Sequence, residues 1–366
     1  MSSPLIPGSL LQSADKVLFL SCMDIPAYIP LQNYLRALAE WYPHLDIHIW
    51  VGRENSRDES PLSLSGWLNA CSFIGKAYTR TETASQLKQS VTEAQGEEYP
   101  LLVSLAETHV CQYINLAREI SPAGFVVGLK EQGLMSLFHR TAHKKLNAAV
   151  PLHGGGKHLP RSGEIYADWF ACLFGLTVEE EARSPFIDIP LSSLHQADVL
   201  LKKWGIDRIG EQVVFINISN NVYRGYSPAH AVELVRALRE RDSYRNAWFL
   251  INAPLEDTDW IKQKILLHCT DSYSFERVRF LRLTEPFFQF AAVLSLCDLL
   301  VSTASNAVYL ADALNIPVIM LTHKREEKRV PLLSVRRAIL VAGKNGVNGD
   351  DLNRVMDSLG EKGAVG

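Results

Sequence analysis

The chain has 366 residues, which at about 150 per domain points to two domains rather than one. Hydrophobic residues make up 47% and charged residues 21%, so a pervasively disordered chain is excluded. Lys plus Arg (37) against Asp plus Glu (40) leave a formal charge of −3, which argues against bulk coating of nucleic acid.

No apolar run approaches the ~18 residues that span a bilayer. Lys16 precedes an apolar run of only four residues, too short for a secretion-signal core. The expected setting is therefore the cytoplasm. The six cysteines (Cys22, Cys71, Cys111, Cys172, Cys269 and Cys297) are scattered without a CxxC, and read as reduced core thiols. No HExxH motif occurs among the histidines, whose HxxxH spacings at His44/His48 and His139/His143 lack its acidic residue, and no metal cofactor is expected.

In chain order, short aliphatic runs alternate with longer amphipathic stretches, the pattern of an α/β fold with parallel sheets. Lys16–Ser21 (KVLFLS) reads as a buried strand, and 28–41 as a helix with Leu31, Leu35, Leu38 and Ala39 on one face. Strands follow at 45–51, 101–105 and 125–129, with a helix over 107–119. The stretch 130–165 fits no element well. It gathers Arg140, His143, Lys144, Lys145, Lys157, His158 and Arg161 around Gly154–Gly156, as either a solvated loop or a site for an anionic ligand.

A second series begins at 213–218 (VVFINI). Helices at 228–240, 257–268, 287–296 and 306–314 alternate with strands at 248–251, 278–283, 299–301 and 317–321. One further helix is expected at 349–359. The break between the series falls between 176 and 212, giving domains 1–185 and 186–366, each Rossmann-like. The 284–322 stretch is the richest. Thr284 has the chemistry of an N-cap, Phe287, Phe290, Ala291 and Leu294 form a buried face, and a polar loop at 302–306 opens the next helix. Unpaired amides and the helix dipole make such a corner a ready phosphate site, though every doubly wound domain has several.

Three segments carry a resemblance. TEPFFQFAAVLSLCDLLVSTASNAVYLADALNIPVIMLT resembles the donor motif of the glycosyltransferase family that contains the bacterial lipopolysaccharide heptosyltransferases. In that family an "aDLvV" strand leads to a "DTGxxHLAAAL" turn and then "xPvi". FINISNNVYRGYSP is similar to its strand, hydroxyl, Lys and "WP" segment. FLSCMDIPAYIPLQNYLRAL is similar to "SSxGDxxxxxPalraL". The matches occur in the family's order along most of the chain.

The resemblance implies two facing Rossmann-like domains of GT-B type with a cleft between them, the acceptor side first and the donor side second. It implies an inverting glycosyltransferase that moves a sugar, heptose being one candidate, from a nucleotide-diphosphate donor such as ADP-heptose. The acceptor would be a lipopolysaccharide core or another anionic glycan or glycolipid, with peripheral contact to the inner membrane and no nucleic acid partner. Asp24 takes the position of the base, and an N-cap role for the following helix is the alternative. Ser219, Asn220, Arg224, Glu256, Thr303, Ser305, Asn306 and Tyr309 fall on the donor side. Arg140, His143, Lys144, Lys157, His158 and Arg161 would meet the acceptor.

The sequence also departs from the family. Ala304 stands at the turn's acidic position, Asn306 at its Gly, Tyr309 at its His, and Met23 replaces a Gly near the base. Loss of the acidic group removes a partner for the donor's sugar hydroxyls. A non-catalytic relative that keeps a binding cleft is therefore the competing reading, and a sugar-nucleotide epimerase on the same fold ranks third. The HGGG string at His153–Gly156 lacks the GxSxG elbow of a hydrolase.

Overall fold

The computed structural model describes residues 3–21, 25–52, 64–81, 83–106, 108–130, 140–151, 162–179, 187–207, 210–217, 228–252, 277–281, 287–303, 305–322 and 337–341, with 259, 263, 354 and 357 besides. The chain divides into two compact units, Met1–Glu59 with Trp67–Pro185 and Ser60–Gly66 with Phe186–Gly366.

The first unit holds a six-stranded sheet in which every pairing is parallel. Its strands are β1 (Lys16–Ser21), β2 (Asp46–Val51), β3 (Lys76–Tyr78), β4 (Leu101–Ser104), β5 (Phe125–Lys130) and β6 (Ala148–Pro151), in the order β3-β2-β1-β4-β5-β6. Its helices are α1 (Gly8–Ser13), α2 (Ile25–Trp41), the end of α3 (Leu64–Ala70, whose first three residues fall in the second unit), α4 (Ala84–Gln95), α5 (Val110–Ile120), α6 (Arg140–His143) and α7 (Ser162–Phe174). Strands covered on both faces carry unbroken apolar runs rather than alternation, and β1 is buried from Val17 to Ser21. One face packs Leu18, Leu20 and Leu102 against Tyr113, Ala117 and Ile120 of α5. On the other, α2 meets α7 through Tyr34 and Phe170, whose ring centroids are 5.3 Å apart.

The second unit repeats the plan. Strands β7 (Val213–Asn217), β8 (Trp248–Asn252), β9 (Val278–Leu281), β10 (Leu299–Thr303), β11 (Val318–Thr322) and β12 (Arg337–Val341) form a parallel sheet ordered β12-β11-β10-β7-β8-β9. Helices α8 (Leu191–Lys203), α9 (Pro228–Arg239), α10 (Phe287–Ser295) and α11 (Asn306–Ala313) accompany it. Helix α8 packs on α10, and Phe290 of α10 sits edge-on to Phe215 of β7 at 5.2 Å. Both units therefore have the doubly wound α/β plan expected from the sequence.

Three differences from the sequence reading have physical causes. The stretch 130–165 is not wholly outside the series, because it supplies α6 and the sixth strand, β6. Strand β3 and helix α4 occupy 76–95, where no element is expected. The strand is only three residues long, and α4 buries just Ser90, Val91 and Ala94. A reciprocal capping box of Thr83 and Gln86 nonetheless starts α4, and its spacing is visible in the sequence. Finally, Ser302 and Thr303 belong to β10 and Asn306 to α11, so both ends of the expected polar loop are taken into regular elements. Among the described residues, no helix is long and apolar enough to cross a membrane.

Candidate functional site

In a doubly wound sheet the strand order reverses once, and helices on either side of that point leave a crevice at the carboxyl ends of the strands. In the second sheet the reversal lies between β7 and β10, where Asn217 is in register with Ser302. Asn217 ends β7 with 8% of its surface exposed, and Ser302 is wholly buried. An amide and a hydroxyl cannot be buried cheaply without partners, and here they satisfy each other.

Asn217 Nδ2 donates to Ser302 Oγ at 3.1 Å and to Ser305 Oγ at 3.2 Å. Its Oδ1 accepts from Asn252 Nδ2 at 2.8 Å, at the carboxyl end of β8. Ser302 Oγ donates to the Thr303 carbonyl at 2.8 Å and lies 3.0 Å from Ser305 Oγ. The result is a neutral band of amides and hydroxyls across β10, β7 and β8.

Ser305 is the N-cap of α11, with extended backbone at φ −151° and ψ 170°, yet its side chain caps no amide of that helix. Small residues let α11 lie close to the sheet: Ala307 and Ala311 are fully buried. The amino end of the helix therefore stands beside the band, where its dipole favours an anion.

The first sheet reverses between β1 and β4. Its carboxyl edge carries buried Ser21 and Ser104, and Ser104 Oγ has no partner among the described residues. Gly52, just past β2, is the seat of the Tyr113 hydroxyl: a Cβ on Gly52 would stand 1.6 Å from that oxygen. His109 is the exposed N-cap of α5 and adopts φ 57°, a left-handed conformation that costs a residue with a side chain about 1 kcal/mol.

Of the donor-side residues expected from the sequence, Thr303 ends β10, Ser305 is the N-cap of α11, and Asn306 and Tyr309 lie in the first turns of that helix. Thr303 is buried, and the other three are half-buried. Ser219, Asn220, Arg224 and Glu256 lie outside the described residues, as do Asp24, Lys157, His158 and Arg161.

The remaining basic residues fall elsewhere. Arg140 and Lys144 are exposed on and just after α6, and His143 is half-buried. Three residues beyond Lys144, the Asn147 amide already bonds the Val126 carbonyl near the start of β5. The return through α6 thus brings His143 and Lys144 toward the amino edge of the sheet, opposite the strand ends where ligands bind. Lys145 is a scaffold residue, its Nζ donating to Asn115 Oδ1 at 2.6 Å. Arg118 closes the same corner by donating to the carbonyls of Lys145, Pro122 and Gly124 and to Asn147 Oδ1. An open groove of about 940 Å³ near Pro7, Leu10, Glu98 and Pro122 also lies on the amino side, away from the strand ends.

Asn217 and Asn252 are candidate site residues that the sequence reading missed. The signal available was polarity out of place: Asn is depleted in strands, yet it ends VVFIN and WFLIN alike.

No protein-family model matches the chain, and no curated protein matches its sequence. Solved structures do match. A glycosyl transferase family 9 structure from Veillonella parvula DSM 2008 aligns with a TM-score of 0.69 at 12% identity, covering 99% of each chain. The E. coli ADP-heptose lipopolysaccharide heptosyltransferase II gives 0.64 at 13% identity over 95% of this chain and 100% of that one. An E. coli heptosyltransferase solved with ADP-2-deoxy-2-fluoro heptose gives 0.63 at 12% identity over 93% and 99%. At such identities the likeness is one of fold, and the fold of this chain is that of the family 9 glycosyltransferases and ADP-heptose heptosyltransferases.

Proposed function

We propose that this protein is a glycosyltransferase that takes a sugar from a nucleoside-diphosphate donor and inverts its anomeric centre. The observation that carries the reading is the hydroxyl and amide band at the β7/β10 reversal beside the amino end of α11. It is uncharged among its described members, so it can receive a diphosphate without repelling it. The fold supports the same reading, since one solved neighbour carries ADP-2-deoxy-2-fluoro heptose and another ADP.

In this reaction the acceptor hydroxyl attacks the anomeric carbon while the nucleoside diphosphate leaves from the opposite face. Asp24 takes the proton from that hydroxyl. Negative charge grows on the departing phosphate, and the Ser305 hydroxyl with the α11 dipole stabilises it more as the bond breaks. Arg224 adds a permanent cation that can clamp phosphate through two nitrogens. ADP-heptose is the donor and an anionic core glycan the acceptor in this proposal.

A second reading has its own observation. Ala304 and Tyr309 replace the acidic and His positions of the related motif, as in a binding protein that has lost turnover.

The test is release of nucleoside diphosphate from ADP-, GDP- and UDP-sugars, with and without lipopolysaccharide-core acceptors. Turnover with one donor, abolished in Asp24→Asn at saturating acceptor, is the expected result. Binding of a donor without any release would favour the second reading.

A further inference from the structure

Serine at an N-cap ordinarily accepts a hydrogen bond from an amide of its own helix, and this is the reason it is favoured there. Ser305 does not do so. Its Oγ is drawn toward the sheet by Asn217 Nδ2 at 3.2 Å and lies 3.0 Å from Ser302 Oγ.

The orientation of the Asn217 carboxamide is fixed from its other side. Asn252 Nδ2 donates to Asn217 Oδ1 at 2.8 Å, so the oxygen must face β8 and the nitrogen β10. The protons can then be counted. Asn217 donates to both serines, and Ser302 gives its hydrogen to the Thr303 carbonyl at 2.8 Å. Ser305 therefore accepts from Asn217 and keeps its own hydrogen. That hydrogen has Ser302 Oγ as its resting acceptor and can turn to a phosphate oxygen. A negatively charged acceptor forms the stronger bond.

We infer that Asn217 is a positioning residue for the donor site: its amide holds the Ser305 hydroxyl off the helix cap, with its hydrogen available to the donor's diphosphate. The inference rests on the proposed reading of this corner as the diphosphate site. Asn252 sets the amide, the amide sets the hydroxyl, and the hydroxyl meets the ligand.

The experiment titrates ADP, and in parallel inorganic pyrophosphate, into the full chain by calorimetry. Wild type, Asn217→Ala, Ser305→Ala and the double variant are compared, each with its thermal midpoint. Asn217→Ala is expected to weaken ADP binding about tenfold, the usual size of one lost hydrogen bond in a buried site. Ser305→Ala should do the same, and the double variant should bind no more weakly than Ser305→Ala alone. Losses that simply multiply, or an Asn217→Ala protein that binds as wild type does, would overturn the inference.

If Asn217→Ala fails to fold, Asn252→Ala supplies the second arm. It leaves Asn217 in place but frees its carboxamide to turn, and should weaken ADP severalfold while the chain still folds, with the midpoint lowered by a few degrees at most. Unchanged affinity there would count against the inference. A wild-type chain that binds neither ADP nor pyrophosphate would remove the donor reading, and the inference with it. Wild-type binding combined with additive losses would remove only the role of Asn217.

Discussion

The amino edges of the two sheets and the carboxyl edge of the second are built from different chemistry. At the amino edge of the first sheet, Glu97 accepts from Lys16 at 2.6 Å and from Lys76 at 2.9 Å, and Lys76 also pairs with Glu93. Behind them, His48 is held between Asp46 and the Tyr99 hydroxyl, which in turn meets Tyr78 at 3.0 Å. At the amino edge of the second sheet, Glu211 bonds Arg277 at 2.8 Å and the Trp248 indole at 2.9 Å. The guanidinium carbons of Arg277 and Arg279 lie 5.5 and 4.7 Å from the centre of the Trp248 ring. The carboxyl edge of that second sheet instead carries the neutral Asn252–Asn217–Ser302–Ser305 band. Among the described residues, charge closes the amino edges and uncharged polar groups line the carboxyl edge of the second sheet. The contrast implies that stability and donor binding can be altered separately.

The largest expected effect is at Trp248. Trp248→Ala removes a ring that is 7% exposed and leaves two guanidinium groups and Glu211 without its contacts, costing about 3–5 kcal/mol of stability. ADP affinity measured well below the melting temperature should stay within about twofold of wild type. A large loss of affinity there would break the separation.

Tyr99→Phe comes next. It deletes one hydroxyl but strands a buried His48 nitrogen and the Tyr78 hydroxyl, for about 1–3 kcal/mol by denaturant unfolding.

The Glu97 cluster gives a smaller effect that depends on pH. Its hydrogen bonds to Lys16 and then to Lys76 hold the Glu97 carboxyl well below its ordinary 4.5, at about 2. The folded state binds this proton less readily than the unfolded chain. The contribution is therefore complete above about pH 4.5 and is lost as pH falls toward about 2. Glu97→Gln should lower the midpoint by about 2–4 °C at pH 7, with the difference from wild type vanishing near pH 2. A difference that persists at pH 2 would mean packing rather than charge.

At the other edge, Ser305→Ala removes no helix cap, because Ser305 makes no cap bond. Its midpoint should move by under about 1 °C while ADP binding weakens. A marked fall in stability would show that the band is structural after all.

Much of the second unit is legible in its sequence because each element there is local and long enough to show its period. VVFIN and LLVST are buried at every position, and α10 buries the expected Phe287, Phe290, Ala291 and Leu294. The β10–α11 corner is legible because its strand and helix follow one another within a dozen residues. Lys144 shows the limit of composition. A positive charge in a basic stretch carries no information about which end of a strand the returning chain will reach.

The sequence by itself determined which segments become strands and helices, since burial on one or both faces writes a period into neighbouring residues. It also determined that two α/β series follow one another. Only the tertiary structure decided the strand order, the point of reversal in each sheet, and hence which polar residues meet. Asn217 and Ser302 are 85 positions apart, and Asn217 and Asn252 are 35 apart. Their meeting depends on parallel register between strands separated by whole helices, and no local pattern encodes register at that distance.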